Sequence, residues 1–84
     1  MKIYEWTAKN NSSYLRGTRS AKTLRKAIID ARRYVIGELG SGAIYYYERD
    51  TEVNDDCNFY LDRPIRIDTY RGGRWVVITD PDML

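Results

Sequence analysis

Five basic residues, Lys22, Arg25, Lys26, Arg32 and Arg33, fall within one short stretch of the chain, with Asp30 as the only acid among them. Cationic side chains at this density attract phosphates or carboxylates. The backbone of a nucleic acid or the acidic face of a protein would both answer to them. Arginine outnumbers lysine ten to four in the whole chain. A guanidinium makes planar, bidentate contacts with carboxylate and phosphate and stacks on aromatic rings, which an ammonium does not.

Arg66, Tyr70, Trp75 and Val77 form a second set. Gly72-Gly73 is a strong two-residue hairpin signal. With the turn there, Tyr70 faces Trp75, Asp68 faces Val77 and Arg66 faces Thr79. Exposed aromatics beside arginine suit the centre of a protein interface. They also suit base stacking. Cross-strand packing within the hairpin is the simpler role for the same pair.

Tyr45-Tyr46-Tyr47 is a third feature. Strand geometry places Tyr46 on one face and its two neighbours on the other. One set is then core, and the other offers rigid contact area near the surface. The fourth is the acidic segment Glu48, Asp50, Glu52, Asp55 and Asp56. Carboxylates can hold a hard cation, but this spacing matches no EF-hand loop and lacks its turn glycine. No metal is expected. Contact with a basic partner is a further reading of these acids, and a solvated hairpin loop is the simpler one.

Catalysis has little to draw on. The chain has no histidine, so the commonest general base and metal ligand is missing. Cys57 is the single cysteine, which excludes an internal disulfide and a cysteine-cluster zinc site. Its acidic neighbours disfavour a thiolate. A histidine-free ribonuclease, with Glu48 as base and Arg66 and Tyr70 stabilising charge, is a distant third reading. Gly37, Gly40 and Gly42 close a helix rather than open one, so they do not form a phosphate loop. No cofactor is expected.

The elements that must carry these groups are few. The chain has 84 residues, 43% hydrophobic and 31% charged, with a net charge of +2. This composition indicates one globular domain over 1–84. Its size and composition are of a kind common among small proteins of phages and mobile elements. The longest apolar run, Ala43 to Tyr47, is far short of a membrane span. Met1 to Trp6 has no apolar core of a signal peptide, so a cytoplasmic location is expected. So short a chain buries about 60–65% of its surface, which leaves monomer and homodimer both open.

The first nine residues alternate as a strand, with Tyr4, Trp6 and Ala8 on one face. Asn10-Asn11-Ser12-Ser13 reads as a turn, and Tyr14-Leu15-Arg16 as a short return strand. A helix is expected from Ser20, its N-cap, to about Gly37. Leu24, Ala27, Ile28, Ala31, Tyr34 and Val35 would form its apolar face. Lys22, Arg25, Lys26 and Arg33 would lie opposite, with Ile29 and Ile36 among them. Strands follow at Ala43 to Arg49 and at Asn58 to Leu61, with an acidic loop from Asp50 to Asn58 before the second. The hairpin strands, Ile65 to Tyr70 and Trp75 to Thr79, come last. Their Ile65, Ile67, Val76 and Ile78 face is the expected core side.

The predicted fold is α+β, a single amphipathic helix packed on one face of a small antiparallel sheet of four to five strands, in the order β(β)αβββ. The predicted function is non-enzymatic binding of a macromolecule. A protein partner is favoured, in the manner of an inhibitor or adaptor, including one for a nucleic-acid-processing enzyme. Nucleic-acid binding through the basic helix face is the alternative. The small net charge and the acidic segment both argue against a generic polyanion binder.

Overall fold

The structure is a computed structural model that describes residues 1–10, 19–50 and 63–84. Five strands and one helix follow in the order β1 (Lys2–Lys9), β2 (Arg19–Ala21), α1 (Leu24–Tyr34), β3 (Gly42–Asp50), β4 (Arg66–Arg71) and β5 (Arg74–Ile78). The strands form one antiparallel sheet in the spatial order β2-β1-β3-β4-β5. The expected architecture is therefore present, with five strands and the ββαβββ order.

The helix starts later than its sequence suggests. Ser20 pairs with Glu5 inside β2, and the N-cap is Thr23, whose Oγ1 accepts the Lys26 N–H at 3.1 Å. Ser20 and Thr23 are both good capping types. Pairing with β1 takes the first and leaves the second. At the other end α1 runs into a wide π turn, Val35–Leu39, closed by Gly40, whose N–H donates to the Val35 carbonyl at 2.7 Å. The turns and strands expected over 11–16 and 51–61, including Cys57, lie outside the described residues.

Small residues set how closely the layers approach. Ala27, Ala31 and Val35 on the helix are fully buried, so its backbone rides low over β1 and β3. The space is filled from the sheet by Trp6, Ala8, Ile44 and Tyr46. Trp6 opposes Tyr46 in register, and its ring tilts against Tyr34 with centroids 5.9 Å apart. Leu24, Ile28 and Leu39 close the edges.

Register then decides which side of the hairpin lies under the helix. Ile44 opposes Asp68 and Tyr46 opposes Arg66, so β4 turns Arg66, Asp68 and Tyr70 toward the helix side. The pairings Tyr70–Trp75 and Asp68–Val77 are those expected from a turn at Gly72-Gly73, and both glycines have positive φ (59° and 77°) as a type I′ turn requires. The expectation that the helix covers the face of Ile67, Val76 and Ile78 is overturned. Trp6, Ile44 and Tyr46 at the centre of the sheet fix the helix side, and the hairpin follows them by alternation. Ile65, at the bend before β4, still packs on the core margin. Gly42 marks a close approach between strands: a Cβ there would stand 2.6 Å from the Lys9 carbonyl oxygen.

Candidate interaction site

A buried charge cluster joins the helix to the hairpin. Asp68 has 0% exposure, an expensive position for a carboxylate unless it is paired. Arg66 Nε donates to its Oδ1 at 2.7 Å, and Arg32 Nε donates to its Oδ2 at 3.0 Å. The Tyr46 hydroxyl also donates to Oδ2, at 2.9 Å. Burial, and next the adjacent carboxylate, hold the Tyr46 phenol neutral well beyond the ordinary tyrosine range. Two guanidiniums thus share one carboxylate, and the cluster keeps a net positive charge at its half-buried edge.

Aromatic rings frame that edge. The Arg32 guanidinium lies 4.4 Å from the centre of the Trp75 ring, within cation–π range. Trp75 in turn packs on Tyr70, with ring centroids 4.6 Å apart. Both rings are half-buried against the core margin. Of the sheet residues expected to contact a partner, Arg66, Tyr70 and Trp75 are thus engaged internally, and Val77 is 43% exposed. Of the helix set, Arg32 points down to the sheet rather than outward.

The rest of the helix set does face solvent. Lys22, Arg25, Lys26 and Arg33 are exposed. Lys26 is paired with Asp30 one turn on, at 3.0 Å. Among the described residues no ion pair engages Lys22, Arg25 or Arg33. Ile29 (39% exposed) and Ile36 (52%) stand two turns apart along the same side. The helix thus presents an apolar stripe bordered by cations. Arg32 carries this surface across to the hairpin, where Arg66 and Val77 continue it. Beside the helix, a groove of about 660 Å³ against β2 mixes Arg19 and Arg33 with Asp30 and Glu38 and has no dominant sign.

The acidic set is divided. Glu48 accepts from Lys2 Nζ at 2.9 Å, and this hydrogen bond raises the pKa of that ammonium. Asp50 lies 3.4 Å from the chain's terminal amine. Both acids are therefore ion-paired within the chain at the solvent-exposed surface. Glu52, Asp55 and Asp56 lie outside the described residues. Among the described residues no group of acids, cysteines or histidines is placed to hold a metal ion.

Glu48, Arg66 and Tyr70 do not converge. Tyr70 opposes Gly42, six residues along β3 from Glu48, and Arg66 is committed to Asp68. At the rise of a strand that separation is about 20 Å. Sequence reasoning passed over Asp68 as a functional residue. Its signal was its place between Ile67 and Thr69 inside a strand, where a lone acid needs a partner.

Among the described residues no helix is long and apolar enough to cross a membrane. Comparison with protein-family models, with curated proteins and with solved structures finds no match to this chain.

Proposed function

We propose that this protein acts without catalysis, as a cytoplasmic binding module whose outer helix face docks on an acidic protein surface that also offers an apolar groove. The single observation that carries this reading is the pair Ile29 and Ile36, exposed in the middle of Arg25, Lys26 and Arg33. Apolar anchors at helical spacing inside a charged rim are the recognition mode of a helix in a groove. A surface evolved only for phosphates has no use for isoleucine at its centre. The lone cysteine suits a reducing compartment.

The test compares four fluorescent probes: an amphipathic peptide rich in glutamate and leucine, the same peptide with leucines replaced by serine, duplex DNA, and single-stranded RNA. The reading expects the first probe to bind, the second to bind at least about tenfold more weakly, and Ile29→Glu with Ile36→Glu to abolish binding. Steeply salt-dependent binding of nucleic acid, lost with Lys22→Glu and Arg25→Glu but indifferent to the isoleucines, would replace it with the nucleic-acid reading.

A further inference from the structure

Strand β5 is the last strand of the sheet, and among the described residues only β4 pairs with it. Its neighbours across the two-residue turn, Arg71 and Arg74, form a hydrogen-bonded pair in such a hairpin. By alternation Arg74, Val76 and Ile78 direct their backbone groups to β4, while Trp75, Val77 and Thr79 direct theirs to the open edge. Natural edge strands are guarded by proline, inward charges or bulges. The span Trp75 to Thr79 has none of these. Instead Val76 (59% exposed) and Val77 (43%) lie bare on its two faces.

The charges along this edge are complementary to themselves. Arg71 and Arg74 stand directly opposite one another, an unfavourable like-charge pair. Among the described residues neither has an ion-pair partner. Six residues after Arg74 comes Asp80, exposed, with Oδ1 accepting the Asp82 N–H and a second carboxylate oxygen to spare.

We propose that β5 is the docking edge for a second copy of this chain, paired antiparallel about a two-fold axis at Val77. In that register Val77 meets Val77 of the second copy and exchanges two hydrogen bonds with it. Trp75 meets Thr79, again with outward backbone groups on both sides. Val76 meets Ile78 on the face away from the helix, and Arg74 meets Asp80, twice by symmetry. Pro81, which has no N–H, ends the ladder. A shift of one residue would place side chains of opposite faces together and lose the charge match. The result is a ten-stranded sheet with both helices on one side, and the outer face of each helix remains free. The occupant follows from the chain itself: the edge supplies both the arginine and the carboxylate that satisfies it.

Sedimentation equilibrium of the full chain, from low micromolar to millimolar concentration, reads the association. The expected result is a monomer–dimer equilibrium. Arg74→Glu alone and Asp80→Lys alone each weaken it by about tenfold, since two attractive pairs become two repulsive ones. The double exchange restores it. Val77→Lys, which sets two ammonium groups against each other on the axis, abolishes it. Circular dichroism confirms the fold of each variant, and Arg74→Glu gives Arg71 an opposite charge, so the hairpin is not weakened by the change. A monomer throughout overturns the proposal. So does a dimer that ignores Arg74, Val77 and Asp80, or one that is lost with Ile29→Glu instead.

Discussion

Arg32 and Asp68, 36 residues apart in sequence, meet through a 3.0 Å hydrogen bond between Nε and Oδ2 that ties the helix to the hairpin. The contact takes one arginine out of the basic helix face and makes it part of the fold. It also determines how the polar layer between helix and sheet responds to change.

Replacing Asp68 with asparagine should be severe. The variant leaves Arg32 and Arg66 half-buried with no counter-charge, a situation that costs about 3 kcal/mol or more. Domains of this size have few kcal/mol in reserve. Urea unfolding followed by far-ultraviolet circular dichroism should show a midpoint near zero denaturant. A midpoint equal to that of the parent would mean that the carboxylate is not the hub of the cluster.

Arg32 and Trp75 should be energetically coupled. A double-mutant cycle with Arg32→Ala and Trp75→Leu is expected to give about 0.5–1 kcal/mol beyond additivity. Arg32→Lys should recover only part of it, because an ammonium keeps the charge but loses the planar stack. Additive losses would mean that the ring and the guanidinium are neighbours without attraction.

Tyr46 sets the alkaline limit. Its folded pKa is raised, so the folded state keeps a proton that the unfolded state releases above about pH 10. Stability is therefore fully present below pH 10 and falls as pH rises beyond it. Tyr46→Phe should flatten that decline. It should also lower stability at neutral pH by about 1.5 kcal/mol, since a hydrogen bond to a buried carboxylate is lost. Thermal melts at pH 7 and pH 11 separate the two effects, and an unchanged alkaline slope in the variant would contradict the assignment.

Thr7 offers a change in the opposite direction. It lies buried on the sheet face away from the helix, and among the described residues its Oγ1 has no hydrogen-bond partner. Thr7→Val removes an unsatisfied polar atom at nearly constant volume and should raise the melting temperature by a few degrees, about 0.5–1 kcal/mol. A lower melting temperature would mean that the hydroxyl is satisfied in solution.

Much of the fold was already written in local pattern. The period-2 alternation of Tyr4, Trp6 and Ala8 marked the first strand. The helical spacing of Ala27, Ala31 and Val35 marked the apolar side of α1. Gly72-Gly73 specified the hairpin and its register to the residue. Such features depend on neighbours in sequence, where backbone conformation and alternation are decided. The same helical period set Arg25, Lys26, Ile29 and Arg33 on the exposed side of α1, whereas Lys22, also exposed, precedes the N-cap and Ile36 falls in the π turn.

What sequence could not decide was which side of the hairpin turns inward. Judged alone, Ile67, Val76 and Ile78 are the apolar face, and Arg66, Asp68 and Tyr70 the wet one. The choice belongs to β3, whose Ile44 and Tyr46 are buried under the helix and carry Asp68 and Arg66 in with them by strand register. The charge of Asp68 is tolerable there only because Arg32, Arg66 and Tyr46 converge on it from three separate elements. Hydrophobicity is a property of a residue and is legible one position at a time. Compensation of a buried charge is a property of an assembled cluster, and it exists only once the helix and the strands have been brought together.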